Sequence, residues 1–417
     1  MATKKKEILV YADWVGLKKT VQIGLLTVTP AKGKESFSFA YSEEWLQSEF
    51  SQIIDPDLQL YPGVYYPRDE KLNFGIFLDS CPDRWGRVLL QRREAAIAKR
   101  EGRSPKKLLE SDLLLGVFDG HRMGALRFKE DEEGPFLNNN KEMASPPWTS
   151  LGELEQASLN FEEDNSNDPA YLQWINMLIA PGSSLGGARP KAGVSDAANN
   201  LWIAKFPSKD DEKDIAAWEM VVNELAINAG LYMAEGMLAQ FNHKYHTYLT
   251  KRFDRTDTGE RIHFASAMTL LGFTDGKGSE GASYLDMVEF ISKNGVDVER
   301  NLKELWRRIV FSINVKNTDD HLRNHGFLLT DKGWILSPAY DINPNEYGKE
   351  LSLNISDNDN SLDLDLALAM ASYFRLNADE ANEIINQVHN SVKEWRHLAA
   401  KYGISSSEQE RMKGAFS

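Results

Sequence analysis

The residues best suited to chemistry gather late in the chain. The stretch Asn317-Thr-Asp-Asp-His-Leu-Arg-Asn324 carries a carboxylate at Asp319 and an amide at Asn324, five positions apart. Phosphoryl transfer needs such a pair, because the transferred group is densely anionic: a carboxylate orients the attacking hydroxyl and takes its proton, and an amide oxygen helps hold magnesium, which screens the phosphates. The second magnesium ligand should be another carboxylate, and Asp341, in Ala339-Tyr-Asp-Ile-Asn343, lies just past a hairpin signal. Magnesium prefers hard oxygens and takes only one or two from protein carboxylates. Taken alone, Asp319, Asp320 and Asn324 also read as a polar turn after a helix; the second carboxylate weighs against that. His321 and His325 have the i, i+4 spacing of one helix face, but Gly326 follows at once and no cysteine is near. A histidine bracing the loop therefore fits better than a zinc ligand.

Protein kinases use the same Asp–Asn spacing, together with a strand lysine that contacts the nucleotide phosphates and a helix glutamate that holds it. Lys205 ends the apolar run Leu201-Trp-Ile-Ala-Lys205, and Glu219 in the following helix is the first choice of partner, with Glu224 the runner-up. The bland alternative is a strand-end lysine with its head in solvent. The Gly-rich stretch Pro181-Gly-Ser-Ser-Leu-Gly-Gly-Ala-Arg-Pro-Lys191 could cradle phosphate through backbone N–H groups, although it matches neither Gly-x-Gly-x-x-Gly nor the Walker pattern and also reads as a surface loop. Its serines, Ser183 and Ser184, are potential phosphate acceptors.

These residues need a scaffold, and the chain's patterning describes one. Glu7 to Tyr11, Gly24 to Val28 and Ser36 to Ala40 read as strands, punctuated by turns at Gly16 and Gly33. Asp83 to Arg100 reads as an arginine-rich helix. Glu130 to Asp168 is polar and acidic, a surface connection with one short helix whose start, Ser150-Leu-Gly-Glu153, fits a capping box. Asp214 caps a helix running through Ala229 and stopped by Gly230, and a strand covers Tyr245 to Phe253. From Leu285 onward amphipathic helix dominates, except for a hairpin over Gly326 to Ile342 that turns at Asp331-Lys-Gly333. Strands early and helices late imply an α+β chain, in a kinase-like two-lobe arrangement with an α/β amino-terminal region and a mostly helical carboxy-terminal lobe. The expected units are a β-rich part over 1–130, a linker plus nucleotide-binding part over 131–253, and a helical catalytic lobe over 254–417.

Composition narrows the setting. Of 417 residues 42% are hydrophobic, enough for a core, yet no apolar run approaches a membrane span. The basic start, Met1 to Lys6, leads into no signal-like segment. With one cysteine, Cys81, no internal disulfide can form, and a reducing cytoplasm is the expected location. A net charge of −14 argues against strong unaided binding to nucleic acid.

In order along the chain, these pieces resemble the HipA family of bacterial toxin kinases. The phrases that carry the resemblance are Tyr11-Ala-Asp-Trp-Val-Gly16, Ser80-Cys-Pro-Asp-Arg-Trp-Gly-Arg87, Arg122-Met-Gly-Ala-Leu-Arg-Phe128, Leu249-Thr-Lys-Arg-Phe-Asp-Arg255, Thr318-Asp-Asp-His-Leu-Arg-Asn324 and Tyr340-Asp-Ile342, spread over nearly the whole chain. The resemblance implies a serine/threonine-protein kinase using ATP and Mg2+, with Asp319 as catalytic base, Asn324 and Asp341 on the metal, and Lys205, held by Glu219, on the phosphates. It implies nucleotide contacts from Leu185, Gly186, Gly187, Ala188 and Lys191 of the Gly-rich stretch, and a hinge at Lys251-Arg-Phe253 whose Lys251 and Phe253 meet adenine. Ser184 falls at the family's autophosphorylated serine, whose modification expels the loop and stops the kinase. Arg189-Pro190 departs from the Gln-Glu of the best-known members. The family pairs with a helix-turn-helix antitoxin that binds operator DNA, and its known substrates are aminoacyl-tRNA synthetases. A small-molecule kinase acting on a sugar, antibiotic or lipid head group also uses an Asp and Asn five apart, but the amino-terminal phrases weigh against it. A catalytically silent co-repressor need not keep Asp319, Asn324, Asp341 and Lys205 together.

Overall fold

A computed structural model describes residues 5–31, 33–68, 71–163, 168, 170–179, 189–276 and 280–416. Its first sheet is antiparallel, ordered β3-β2-β1-β4, from β1 (Lys6–Ala12), β2 (Val21–Ala31), β3 (Lys34–Tyr41) and β4 (Leu126–Lys129). Alternation sends Ile8, Val10 and Ala12 of β1 fully inward, as a period of two requires. The three expected strands are present and longer than the patterning suggested. Gly16 and Gly33 take left-handed φ values of +98° and +80°, which only glycine adopts without strain.

The Arg84–Arg100 helix starts where Asp83 caps it, accepting from Gly86 N–H at 2.8 Å. Beyond β4 the expectation needs correcting. Residues 130–168 are not simply surface connection: the helix Leu151–Glu162 buries Leu151, Leu154, Ala157 and Phe161. A second helix, Tyr171–Ile179, packs beside it. Glu153 and Gln156 occupy the exposed face of this amphipathic helix, whereas Glu155 is buried and accepts from the Thr247 hydroxyl at 2.9 Å. Nor does Ser150 cap it, since its side chain makes no capping bond and its backbone has already turned (φ −89°, ψ 2°).

The second sheet is ordered β5-β6-β8-β7, from β5 (Lys191–Ser195), β6 (Leu201–Lys205), β7 (Gly236–Ala239) and β8 (Thr247–Lys251). The helix Ile215–Asn228 begins at Asp214, whose carboxylate accepts from Ala217 N–H at 3.1 Å, and ends before Gly230 at φ +81°. The third sheet, β11-β10-β9, comprises β9 (Phe264–Ser266) and the anticipated hairpin, β10 (Gly326–Thr330) with β11 (Gly333–Leu336). Helices Tyr284–Asn294, Val298–Val315 and Ala378–Val392 build the carboxy-terminal region. Between β11 and the helix Leu364–Met370 the chain is irregular, so helix is less continuous there than expected.

The chain thus mixes helix and sheet. One apolar core joins the first sheet (Ile8, Phe39, Phe128) to the Ile215–Asn228 helix and the carboxy-terminal helices (Trp306, Ile384). A second packs the β5–β8 sheet against Leu151–Glu162 and Tyr171–Ile179. Among the described residues, no helix is long and apolar enough to cross a membrane.

Candidate active site

The Val298–Val315 helix stops at Lys316, which turns left-handed at φ +48°. The loop that follows separates two adjacent carboxylates. Asp320 is buried: it accepts from the Tyr284 hydroxyl and lies 3.0 Å from His325 Nε2. It is a structural anchor, and His325 braces the loop as expected. Asp319 is exposed, at the mouth of a cavity. Partial desolvation at the cavity wall, followed by the neighbouring Asp341 and Asp320 carboxylates, pushes the Asp319 carboxyl above its ordinary range, against the pull of His321. Asn324 Nδ2 donates to the Asp319 carbonyl at 2.9 Å, which fixes the amide plane. Its Oδ1 is left buried without a hydrogen-bond partner among the described residues.

Lys205, Glu219 and Asp341 come together from β6, the Ile215–Asn228 helix and the segment after β11. Lys205 Nζ donates to Glu219 Oε1 and to Asp341 Oδ1, each at 2.6 Å. The runner-up Glu224 is elsewhere, paired with Lys401 at 2.7 Å and with Tyr402. Burial pulls the Lys205 ammonium down, but Asp341 and Glu219 outweigh it and hold the proton above the usual lysine range. For Glu219 burial dominates and the carboxyl moves up, whereas Lys205 overcomes burial at Asp341 and holds that carboxyl down. Asp341 is left-handed at φ +58°, a conformation that costs a non-glycine residue free energy and is concentrated at functional sites.

Three clefts meet here. The first is narrow, has apolar walls including Ile203, Met233, Phe253 and Tyr340, and reaches Lys205, Glu219 and Asp341. The second, about 1020 Å³, contains Arg189, Lys191, Lys205, Asp319 and Asp341. The third, about 1790 Å³, runs between Cys81, Pro82, Arg84 and Arg87 on one side and Asp319, His321 and Arg323 on the other. Asp319 therefore borders both the second and the third, while Lys205 and Asp341 border the first and the second.

Lys251 and Phe253 line the apolar cleft, but the Lys251 and Arg252 N–H groups are taken by the Glu235 and Leu201 carbonyls at 2.9 Å each. The Lys251 side chain reaches Asp257 at 3.0 Å. A planar base could still rest on Phe253, whose ring lies 5.4 Å from that of Tyr340. Lys191 lines the second cleft with its ammonium on Asp83 at 2.9 Å. Ser183, Ser184, Leu185, Gly186, Gly187 and Ala188 lie outside the described residues. Sequence reasoning gave no role to Asp83, Asn317 or Asn343. Asp83 lay in a quoted phrase and the asparagines flank the two motifs, so position was the available signal.

The donor set suits a hard divalent cation: carboxylate and amide oxygens, with the amide oxygens of Asn324 and Asn343 buried and without a hydrogen-bond partner among the described residues.

Residues 183–395, just over half of the chain, match the HipA-like C-terminal domain. A putative kinase of Haemophilus influenzae is 27% identical over 179 residues, which are 38% of this chain and 52% of the relative, so the match spans about half of that protein. Among solved structures, HipA of Shewanella oneidensis, from a toxin–antitoxin complex with HipB and its operator DNA, aligns over 95% of this chain and 93% of its own with a TM-score of 0.64 at 19% identity. At that identity the likeness is one of fold. The Helicobacter pylori proinflammatory kinase CtkA aligns over 54% of this chain and 92% of its own with a TM-score of 0.36 at 15% identity.

Proposed function

Because this chain belongs to the HipA family, we propose that it is an ATP- and Mg2+-dependent serine/threonine-protein kinase, the toxin of a toxin–antitoxin pair. The observation that carries the reading is Lys205 bonded at once to Glu219 and Asp341, at the junction of an apolar cleft and a cationic one. The apolar cleft would take the base, with Phe253 against its face. Lys205, fixed by Glu219, would donate to the phosphates, with Arg189 and Lys191 nearby. Asp341 and Asn324 would hold the magnesium, which when bound neutralises phosphate charge.

Asp319 would accept the proton of the acceptor hydroxyl as its oxygen bonds the γ-phosphorus and the bond to the β-phosphate oxygen breaks, leaving ADP. The raised affinity of Asp319 for a proton suits it to that task. Because Asp319 also borders the third cleft, the acceptor segment would enter between the catalytic loop and the start of the Arg84–Arg100 helix.

Several finer parts belong to the same proposal. The chain would work in two lobes, with units over 1–130, 131–253 and 254–417. Ser184 would be autophosphorylated, and Leu185 to Ala188 would cover the phosphates. A helix-turn-helix antitoxin would bind the chain and carry most of the contact with operator DNA, in keeping with the charge of −14. The protein substrate would be of the aminoacyl-tRNA synthetase kind, and the setting the cytoplasm.

The test is incubation of the pure protein with γ-labelled ATP and Mg2+, with and without Asp319→Asn. Label on Ser184 in the wild type and none in the variant, with nucleotide binding equal in both, is expected. An Asp319→Asn protein that labels at the wild-type rate would refute the assignment.

A further inference from the structure

Asn343 is a polar group of the site that the mechanism above leaves unused. It stands two positions past Asp341 and lines the same cleft as Asp319, Asp341, Lys191 and Lys205. Its backbone N–H donates to Asn317 Oδ1 at 3.2 Å, and Asn317 is itself buried. Its side-chain Nδ2 donates to Asp341 Oδ1 at 3.3 Å. The first bond holds the backbone and the second orients the amide, and with Nδ2 turned toward Asp341 the Oδ1 atom is buried without a partner among the described residues. Asn324 Oδ1 is in the same condition on the other side of the motif.

A buried amide oxygen left unpaired is unfavourable, so its environment should contain what satisfies it. An amide oxygen can only accept, which excludes a phosphate oxygen as its partner. The missing group must be a donor or a cation. The basic side chains bordering the cleft are already engaged with carboxylates: Arg189 with Asp211, Lys191 with Asp83, Lys205 with Glu219 and Asp341, and Lys213 with Glu346. Asp341 Oδ1 meanwhile receives both Lys205 Nζ and Asn343 Nδ2. Asn343, which lines the cleft, therefore carries a hard oxygen with no hydrogen-bond donor among the described residues.

We propose that Asn343 Oδ1 is a third protein ligand of the divalent cation site, beside Asp341 and Asn324. The proposal rests on the phosphotransfer reading and adds to it a residue that sets cation affinity. A water molecule on Oδ1, with Asn343 acting only to orient Asp341, is the competing account.

Crystals of the full chain grown with Mn2+ and a non-hydrolysable ATP analogue separate the two accounts. An anomalous manganese peak about 2.1–2.3 Å from Asn343 Oδ1, close to hard-cation coordination distances, is expected. A peak bound by Asp341 with Asn343 Oδ1 more than about 3 Å away would overturn the proposal. In solution, Asn343→Leu should weaken Mn2+ binding to the nucleotide complex by about tenfold, while leaving nucleotide affinity in EDTA unchanged. Equal losses with and without Mn2+ would mark Asn343 as a loop-holding residue instead. A wild-type chain that binds the nucleotide without taking up Mn2+ would overturn this proposal, and one that binds no nucleotide would overturn the phosphotransfer reading beneath it as well.

Discussion

The cleft and the seam between the first sheet and β8 both bury clusters of charge, but they satisfy them differently. At the seam, Asp254 receives Arg252 at 2.6 Å, Arg255 at 2.7 Å and the Gly124 N–H at 2.8 Å. The surplus guanidinium donors go to backbone carbonyls: Arg252 to His121 at 2.5 Å, Arg255 to Arg122 at 2.9 Å and Arg261 to Asp119 at 2.5 Å. Burial works against the Asp254 charge, yet Arg252 and Arg255 hold its carboxyl down at about 2. In the cleft, one lysine is shared by two carboxylates, and two amide oxygens nearby have no partner. Perturbed protonation is common to both clusters, so it does not by itself mark an active site. Unused coordination beside a cavity does. The seam ties the segment after β8 to the residues just before β4, while the cleft leaves two amide oxygens without partners among the described residues.

That contrast can be broken at several points. Asp319→Asn should lower phosphoryl transfer by about 10²–10⁴-fold, the range for a positioned general base, with nucleotide affinity and unfolding unchanged. Single-turnover transfer alongside binding calorimetry checks both halves. Asp254→Ala removes the shared acceptor of two buried guanidinium groups. It should cost about 3–5 kcal/mol of stability in denaturant unfolding, because an uncompensated buried charge remains. If the seam variant unfolds no more easily than wild type, the two clusters do not differ as argued.

Acid should loosen the region beside the seam. His263, beside Arg261, stacks on Trp14 at 5.0 Å and lies 5.9 Å from Trp334, with neither ring nitrogen partnered. Burial depresses its folded pKa to about 3. The unfolded chain takes up that proton below about pH 6.5, so this contribution to stability is complete above that value and is lost as pH falls toward 3. Between pH 7 and 5 the loss should be about 2 kcal/mol, and His263→Phe should flatten the pH dependence of unfolding by that amount. The smallest effect expected is that of Lys205→Met, about tenfold in nucleotide affinity or 1.4 kcal/mol. Isothermal titration against folded variant protein checks it, and unchanged affinity would make Lys205 a structural ion-pair partner only.

The sequence on its own determined the features that depend on near neighbours. Asp214 as a cap, Gly230 as a stop, the hairpin at Asp331-Lys-Gly333 and the early strands all follow from local backbone preference and periodicity. The helix Leu151–Glu162 was half legible: its composition looked like loop, and only the packed layer beneath it shows which face is apolar. At the site, residue types and spacing were enough to nominate Asp319, Asn324, Asp341, Lys205 and Glu219. Choosing between neighbours was a tertiary matter. Asp320 differs from Asp319 because Tyr284 and His325 claim it, and Glu219 differs from Glu224 because one turns toward β6 and the other toward Lys401. The contacts between Lys205 and Asp341, 136 positions apart, and between Lys191 and Asp83, 108 apart, have no local trace. Local preferences act over a few residues, whereas these partners are chosen by the way sheets and helices close around a shared core, and so is the buried amide oxygen of Asn343 that no local rule would single out.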